Sequence, residues 1–429
     1  MKNLKIYPFI IVSILVLSIY LPDVFKSFYA NPIDRNIVYY SPVDEDFVRF
    51  NLDGKTKNYN YSNLDGSIKL TEDEYRAKLP FIYFSDLIKI DNFPEKLSIY
   101  GQDTRVIRRE RSFLRIRTNE IISNNVNLYP LFESNPKYAS LELPKDLFKL
   151  GDKGITFIES DKNKIDTIKS EAYNKILIQK GAKFPLKNAF GNPTTRKPFD
   201  EGYFIIDSEY NLFHVKQVNS KPFIKKVDNN GKKIRYILNK EDNRKEYYGF
   251  AISEDNEIYL IMYDNYQFVK LPIDNYNYLT TDFMMMTTPI NRILTLIEDD
   301  DTNKKRNINL FVTNLDYDLI NKASYSYSLQ RGKIYEMIKS IIFPYDIDII
   351  KNSDGYYFFE LKNLSIKSFV LYAVLAFLYL IFIKMKKNIL TNHLIQAMLI
   401  VLGGVYSIII LLLFNKLFII NQKNIKREI

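Results

Sequence analysis

The sequence predicts a membrane-anchored, mainly β protein, with a β-propeller-like or repeated β-meander extracytoplasmic domain, a few helices and three transmembrane helices. Three long apolar runs lie near the ends of the 429-residue chain. Between them, short apolar runs alternate with turns rich in Asp and Asn, which is typical of strands. We therefore divide the chain into an N-terminal signal anchor (1–26), a β-rich extracytoplasmic domain (27–365) and a C-terminal transmembrane hairpin with a basic tail (366–429).

The first apolar run, residues 6–22, carries no charge and follows Lys2 and Lys5. This pattern fits a signal peptide or a signal anchor. Cleavage of a signal peptide requires small residues at positions −3 and −1. A cut after Ala30 would place Phe28 at −3, so the sequence favours an anchor that is not cleaved.

Two further runs, Ser368 to Ile383 and Leu394 to Phe414, are uncharged. A helix needs about 20 apolar residues to cross a bilayer, and flanking lysines can extend a shorter one. The alternative is a pair of buried helices in a soluble domain. Uniform apolarity argues against it, because a surface helix shows a polar face.

Lysines indicate the orientation. Lys2 and Lys5 precede the first run, and three lysines lie between the last two. If all three segments span, the positive-inside rule places both groups in the cytoplasm. The β-rich domain then lies outside a bacterial cytoplasmic (inner) membrane. The same arrangement would place the basic C-terminal tail, with Lys416, Lys423, Lys426 and Arg427, outside the cytoplasm. This contradicts the rule, so the sequence does not decide on which side of the membrane the tail lies.

The net charge of +10 is not evidence for nucleic-acid binding. Twelve of the 60 basic residues flank the apolar runs, and without them and three nearby acidic residues 48 basic residues remain beside 47 acidic ones. The excess charge therefore belongs to the membrane flanks. The chain has no cysteine and only two histidines, which excludes Cys-based metal sites and thiol chemistry. We predict no cofactor and no metal site.

The β-rich region contains a weak internal repeat. FIIDSEYNLFHV (204–215) aligns without a gap with FAISEDNEIYLI (250–261), at a spacing of 46 residues. Each is an apolar strand, an acidic turn and a second strand, and this spacing suits a four-stranded propeller blade. A run of unrelated hairpins is the alternative. Similar patterns occur at 38–50, 155–166 and 308–320.

Three helices interrupt the strands. Thr71 to Glu74 is a capping box that opens a helix through about Ile88. The other two are predicted from apolar residues at helical spacing, and we expect the last to pack on the core rather than on the membrane surface. The two stripes are Ile168, Ala172 and Ile176, with Gly181 as the C-cap, and Ile334, Met337, Ile338 and Ile341 before Pro344.

The stretch FGNPTTRKPFDEGYF (190–204) is the first candidate site. Thr194, Thr195 and Arg196 suit a carboxylate or phosphate, and Asp200 and Glu201 suit acid–base chemistry. Neighbouring residues of an extended segment point to opposite faces, so the two carboxylates are poorly placed to flank one bond. The favoured interpretation is an Arg–Asp pair that locks a loop, with docking of a ligand or partner as the alternative.

An arginine-rich segment, 105–117, is the second candidate. Read as a strand, it places Arg111, Arg115 and Arg117 on one face. Guanidinium groups in a row suit carboxylates, phosphates or lipid head groups. The alternative is a solvated face paired with acidic neighbours. Met284, Met285 and Met286 suggest copper only loosely, since a strand separates alternate residues. We predict core packing for them and a structural role for His214.

Six motifs occur along the chain in a fixed order: LPFIYFSDL (79–87), RSFLRIR (111–117), LYPLFES (128–134), NPTTRKPFDEGYFIIDSEYNLFHVK (192–216), SEDNEIYLI (253–261) and GKIYEMIKSIIFP (332–344). Together they resemble one family of bacterial membrane proteins, the domain of unknown function 4857. The resemblance covers nearly the whole chain through the first C-terminal span. It implies an N-terminal span, a large extracytoplasmic part and an association with ABC-type transport components, and it assigns no catalytic residue. The segment Leu394 to Phe414 departs from the pattern.

These observations predict a non-enzymatic accessory or scaffolding subunit of a bacterial membrane complex. The expected partners are the lipid bilayer and a membrane protein, including ABC-transporter subunits, and not nucleic acid. An extracytoplasmic sensor or solute-binding receptor is the alternative. A carbohydrate-active enzyme is a remote one, because it needs two carboxylates that converge in one cleft.

Overall fold

A computed structural model gives the fold and describes residues 6–122, 126–138, 140–300, 302–351, 357–385 and 391–425. The chain divides into two compact units. The first, here called the helical unit, comprises Met1–Asp34, Asp53–Lys57 and Leu329–Ile429. The second, the sheet unit, comprises Arg35–Leu52 and Asn58–Ser328. Of the residues on which the orientation was argued, Lys2, Lys5, Lys386, Lys387, Lys426 and Arg427 lie outside the described ranges.

The strands of the sheet unit pair almost entirely with their neighbours in sequence, as antiparallel meanders. In chain order they are β1 (Arg35–Ser41), β2 (Asp46–Leu52), β3 (Tyr59–Asn63), β4 (Lys69–Leu70), β5 (Ser112–Ile116), β6 (Tyr129–Pro130), β7 (Asp146–Gly151), β8 (Gly154–Glu159), β9 (Lys164–Asp166), β10 (Leu186–Gly191), β11 (Tyr203–Asp207), β12 (Leu212–Val218), β13 (Lys221–Val227), β14 (Ile234–Asn239), β15 (Tyr247–Ser253), β16 (Ile258–Met262), β17 (Phe268–Lys270), β18 (Thr281–Thr287), β19 (Arg292–Asp300), β20 (Lys305–Thr313) and β21 (Leu319–Ser328).

These strands form five sheets. Four have four strands each, in the orders β1-β2-β3-β4, β6-β7-β8-β9, β10-β11-β12-β13 and β14-β15-β16-β17. We call them the first to fourth sheets. The fifth sheet has the order β21-β20-β19-β18-β5. Within the described residues, none of the five closes on itself, so the expected meander array is present as separate open sheets.

The internal repeat corresponds to equivalent hairpins. Phe204 of β11 pairs with His214 of β12, and 46 residues later Phe250 of β15 pairs with Leu260 of β16. Every residue of β11 and β15 is buried. Strands covered on both faces read as continuous apolar runs rather than alternating ones, which is why the two segments align so well.

The fifth sheet recruits one distant strand. β5 pairs with β18, with Leu114 opposite Met285. These two residues face the largest core cluster, which includes Phe250 of the fourth sheet. On the other face, Ile293 belongs to a smaller cluster with Val38 of the first sheet. The fifth sheet therefore lies between two apolar clusters.

The helices of the sheet unit are mostly short. The predicted capping box is present: the Glu74 amide donates to Thr71 Oγ1 at 3.3 Å, and Glu74 Oε2 accepts from the Thr71 amide at 2.7 Å. The helix that it opens ends at Ala77 rather than near Ile88, because Pro80 cannot continue it. The helices are α2 (Glu72–Ala77), α3 (Phe84–Lys89), α4 (Ser98–Gln102), α5 (Thr104–Glu110), α6 (Thr118–Ile122) and α7 (Thr167–Gln179), with a 3₁₀ turn at Glu95–Leu97.

The predicted helix α7 is present, but of its apolar stripe only Ile176 packs against a core cluster. Ile168 is 82% exposed, while Tyr173 and Leu177 are buried. The larger Tyr and Leu side chains remove more apolar surface from water than Ile168 and Ala172 would. Ser170 also faces inward, where its Oγ accepts a hydrogen bond from the Phe157 amide nitrogen at 2.9 Å.

Among its described residues, the helical unit has three helices that are long and apolar enough to span a membrane. The third, α10, has a break at Gly404 (φ 53°, ψ −130°), where a Cβ would lie 2.7 Å from the Tyr372 ring. Gly is required there because both the positive φ and the close ring exclude a side chain. The elements are α1 (Tyr7–Tyr29), α8 (Lys333–Ile342), β22 (Asp346–Lys351), β23 (Tyr357–Lys362), α9 (Ile366–Met385) and α10 (Thr391–Ile425).

The prediction that the aliphatic stripe of α8 packs on the core is wrong. Ile334 is 72% and Met337 55% exposed, whereas Tyr335 is buried and stacks on Phe25 of α1 at 5.6 Å between ring centroids. The contact between Tyr335 and Phe25 holds α8 against α1. The aliphatic stripe consequently faces away from the unit.

Candidate binding site in the sheet unit

The first candidate site is the loop between β10 and β11, residues 192–202, here called the 192–202 loop. Its last residue, Gly202, has a φ of +67°, and a Cβ there would lie 2.3 Å from the Val215 carbonyl oxygen. Only Gly fits this turn. The turn brings Asp200 and Glu201 against the third sheet, so that both side chains enter the interior.

A buried lysine organises the loop. Lys197 Nζ lies 2.6 Å from Asp200 Oδ1 and 2.8 Å from Glu241 Oε1, and it donates to the Asn192 carbonyl at 2.8 Å. The side chains of Lys197, Asp200 and Glu241 are 3%, 1% and 0% exposed. Buried charges of this kind are stable only when they are paired and hydrogen-bonded.

Glu241 links this loop to the fourth sheet, since it follows β14. Its Oε2 accepts from Asn192 Nδ2 at 2.9 Å, and its Oε1 accepts from the Glu201 amide at 2.8 Å. Burial raises the pKa of Glu241, while Lys197 and the Glu201 amide oppose that rise. The carboxylate is therefore enclosed by donors from the loop.

Glu201 points the other way, as the alternation of an extended segment predicts. It pairs with Lys216 Nζ at 2.6 Å and accepts from the Tyr263 hydroxyl at 2.7 Å. Asp200 instead accepts from Ser134 Oγ at 3.1 Å and from the Gly202 amide at 2.9 Å. The two carboxylates share no partner and do not converge on one cleft.

His214 is structural, in agreement with the sequence interpretation. Its Nε2 contacts the Glu201 carbonyl, which can only accept, so Nδ1 accepts from the Tyr266 hydroxyl at 2.8 Å. The ring stacks on Phe204 at 4.7 Å. Complete burial, reinforced by the charge of Lys216 and opposed by the Glu201 carbonyl, lowers its pKa to about 4. A neutral imidazole with both nitrogens used is a poor general base.

The sequence analysis favoured an Arg–Asp pair that locks this loop, but the cation that pairs with Asp200 is a lysine. Asp200 pairs with Lys197, and within the described part of the chain the Arg196 side chain has no hydrogen bond or ion pair. Thr195 and Arg196 are exposed, and Thr194 is half-buried with its hydroxyl accepting the Arg196 amide at 3.1 Å. The loop therefore has a locked interior and a free outer tip.

Two residues that hold the loop were missed in the sequence. Lys197 was passed over beside Arg196, and Glu241 lies 44 residues further along the chain. The only local indication was an acidic residue at the end of β14. Nothing in the sequence predicted that the third and fourth sheets would meet there.

The second candidate, the arginine-rich segment, is helical over Thr104–Glu110 and a strand only from Ser112. Arg111 donates to the Ile82 carbonyl at 3.0 Å, and Arg115 pairs with Asp282 at 2.6 Å. Arg117 is exposed at the end of β5. Leu114 and Ile116 are buried on the opposite face of the strand from Arg115. Arg115 also borders a cavity.

A metal site finds no support: within the described ranges, no three or more His, Asp or Glu side chains are grouped closely enough to hold an ion.

A family model described as a domain of unknown function (DUF4857) matches residues 37–307, which is more than half of the chain. The chain belongs to this family, and the resemblance seen in the sequence is confirmed. The matched range contains both candidate sites. The family description assigns no activity to them.

Solved structures resemble the chain only distantly. One is PorZ, an essential bacterial surface component of the type-IX secretion system of Porphyromonas gingivalis, at 10% identity and a TM-score of 0.22, over 76% of this chain and 38% of that one. Another is the S. cerevisiae core factor, at 7% identity and a TM-score of 0.19, over 59% of each chain. No curated protein matches the sequence. Such low TM-scores support no functional argument.

Proposed function

We propose that this protein is a non-enzymatic, membrane-anchored accessory or scaffolding subunit of a bacterial membrane complex, associated with an ABC-type transporter. One observation carries the proposal: apolar side chains cover the outside of the helical unit. Phe9, Phe377 and Met398, one on each long helix, are 69%, 63% and 63% exposed. An apolar surface of this extent requires lipid or partner helices.

The orientation that we propose follows the positive-inside rule. Lys384 lies in the last turn of α9, and His393 Nδ1 of α10 lies 2.7 Å from the Tyr379 hydroxyl of α9. These ends of α9 and α10 lie on the cytoplasmic side in our proposal. The sheet unit and the tail after α10 are then extracytoplasmic.

We also propose that α8 lies in the outer interface of the bilayer. Its exposed aliphatic residues, Ile334, Met337 and Ile341, occupy one side, and Glu336 lies on the other. Interfacial helices bury such an apolar stripe among the lipid chains while their charges stay in water. The helix is in the same compact unit as the three apolar helices.

The absence of tryptophan makes this placement testable. In vesicles that contain lipid brominated near the head group, the fluorescence of Ile334→Trp should be quenched. Phe377→Trp, near the middle of α9, should be quenched by lipid that is brominated deep in its acyl chains. Tyr59→Trp, at an exposed site of the sheet unit, is the matched control and should not be quenched. Unquenched emission from Ile334→Trp together with quenched Phe377→Trp would remove α8 from the interface.

The finer arrangement that we infer for the sheet unit is propeller-like. β10 of the third sheet contacts β7 of the second and β14 of the fourth, and four-stranded sheets in succession are the building blocks of propellers. A closed propeller also requires the first and second sheets to meet. A cryo-EM map without that contact would exclude it.

The scaffolding role is supported by the 192–202 loop. Its carboxylates are buried and paired, which leaves no room for a substrate, while Thr195 and Arg196 project from a firmly held base. Pre-organised loops lose little entropy on docking. We assign this outer tip to contact with a partner protein.

Purification of the native complex in mild detergent, followed by mass spectrometry, tests the proposal. Transporter subunits are expected in stoichiometric amounts, and recovery of the chain alone would contradict it. Since the chain has no cysteine, Thr195→Cys provides a single attachment point for a cross-linker. The same subunit should be captured from Thr195→Cys but not from Ile168→Cys, a matched site that is 82% exposed.

A further inference from the structure

A cavity lies on the face of the fifth sheet that is turned toward β1. Its volume is about 330 Å³. Residues of β1, β5, β18, β19, β20 and β21 line it, so it belongs entirely to the sheet unit. Small-molecule sites are concave and mostly apolar, with a few polar groups that orient the ligand.

The floor of the cavity is apolar and adaptable. In the register of the fifth sheet, Met284 lies beside Arg115 and Met286 beside Phe113. Both methionines line the cavity, whereas Met285 is 1% exposed and faces the core on the opposite side. Methionine side chains adjust to flexible apolar ligands. Ile297 and Ile308 extend this floor toward β20.

The polar lining is entirely cationic or neutral: among its described residues are three arginines and no carboxylate. Arg306 is held by both oxygens of Asp299, at 2.6 and 2.7 Å. Arg115 uses one nitrogen on Asp282 at 2.6 Å. Arg35 is exposed and, within the described part of the chain, has no ion pair.

We propose that this cavity binds a long-chain amphiphile with one anionic head group, of the fatty-acid class. The chain lies on Met284, Met286 and Ile297. The head group pairs with Arg35 and with the free nitrogens of Arg115. Arginine forks bind carboxylates and phosphates through two hydrogen bonds, and the pairing is stronger beside an apolar wall than in open water.

This site differs in kind from the 192–202 loop. There the cation and the carboxylates satisfy each other, whereas here Arg35, which has no ion pair among the described residues, borders an apolar floor. The proposal also does not depend on a transporter partner, because every residue it uses lies in the sheet unit.

The test uses the full-length protein in phospholipid nanodiscs with ¹³C-methyl methionine. The chain has only 8 methionines, so the methyl resonances can be assigned by Met→Leu substitution. Laurate should shift the Met284 and Met286 resonances saturably and leave that of Met285 in place. Met398, 63% exposed on α10, reports any laurate that enters the lipid instead.

The head group is tested by charge. If the arginines recognise any compact anion, dodecyl phosphate should shift the Met284 and Met286 resonances as laurate does. If the site is specific for carboxylates, only laurate should shift them. Dodecyltrimethylammonium should shift neither methionine. Arg35→Gln should weaken laurate binding about tenfold, because one charge-assisted pair is lost. Arg196→Gln, an exposed arginine away from the cavity, is the matched control and should bind as the wild type does.

Three results would overturn the proposal. They are unchanged Met284 and Met286 resonances at saturating laurate, equal shifts with the cationic amphiphile, and an undiminished affinity of Arg35→Gln. An unmoved Met285 resonance in each variant shows that the sheet is intact. A negative result therefore counts against the cavity and not against the folding of the protein.

Discussion

The 192–202 loop and the cavity of the fifth sheet are both charged regions of the sheet unit, and they have opposite environments. Around Lys197 the charged side chains are at most 3% exposed, and each carboxylate has its donors. In the cavity, Arg115 is 39% exposed and Arg35 has no ion pair in the described part of the chain. The first region joins two sheets, and the second leaves a cation available.

The difference shows that charge density along the sequence does not separate a structural site from a binding site. Burial and saturation of hydrogen bonds do. A buried, saturated network has no capacity left for a ligand, and removal of one member leaves an uncompensated charge. An exposed arginine above an apolar cavity contributes little to stability. The predictions below test this contrast through the free energy of unfolding.

Lys197→Met should have the largest effect, since it leaves Asp200 and Glu241 buried without their cation. We expect a loss of about 3–5 kcal/mol in the free energy of unfolding. Urea denaturation in detergent, followed by tyrosine fluorescence, measures it. Arg196→Met is the neighbouring control and should stay within about 0.5 kcal/mol. Similar losses in both variants would contradict the contrast.

A pH effect should follow from His214. Its pKa is near 6.5 when unfolded and is lowered to about 4 in the fold, so the unfolded chain binds the proton first. The free energy of unfolding is therefore at its full value above pH 6.5. It decreases by about 3 kcal/mol as the pH falls toward 4.

His214→Gln isolates this effect. The charged and titratable groups around the ring are Glu201, Lys216, Lys225, Tyr248 and Tyr266. Glu241 acts in the opposite direction, because a raised carboxyl pKa favours the fold as pH falls. Glu241 and the groups around the ring remain in the variant, so the difference between the stability curves of the wild type and His214→Gln reports His214. Parallel curves from pH 7 to 4 would show that the imidazole carries no such penalty.

Tyr263→Phe should have a moderate effect. It removes the hydroxyl that donates to Glu201 Oε1 at 2.7 Å, but Lys216 stays paired with that carboxylate. We expect a loss of about 1–2 kcal/mol in the free energy of unfolding. Tyr59→Phe, at an exposed ring, is the control and should show none. If Tyr263→Phe is equally neutral, the network around Glu201 is looser than its geometry indicates.

Arg115→Gln should have the smallest effect on stability. Its pair with Asp282 is partly exposed, and such pairs contribute up to about 1 kcal/mol. The same variant should bind laurate more weakly in the nanodisc titration. A loss of stability as large as that of Lys197→Met would instead make Arg115 a structural residue like Lys197.

Much of the local structure was predictable from the sequence. The equivalent hairpins at 204–215 and 250–261, the Thr71 capping box and the three apolar helices depend on short-range patterns, and each is present. The sequence did not predict which faces of α7 and α8 are buried. An apolar stripe shows that a helix is amphipathic, but only its neighbours determine which side chains become enclosed.

The candidate site divides in the same way. The sequence marked the 192–202 loop as braced and separated Asp200 from Glu201, since alternation along a strand is local. It chose the wrong cation, Arg196 instead of Lys197, and could not include Glu241. Which cation turns inward depends on Phe132, whose ring lies 5.2 Å from Lys197 Nζ, and on the fourth sheet.

The sequence by itself determined the apolar helices, the meander strands, the family and the absence of cysteine chemistry. Each depends on composition or on a period within a few residues of the chain. Tertiary structure alone decided which charges are enclosed and which remain available. Pairing between sheets removes water from some side chains and not from others, and the energy of a charge depends on that local dielectric more than on its sequence neighbours.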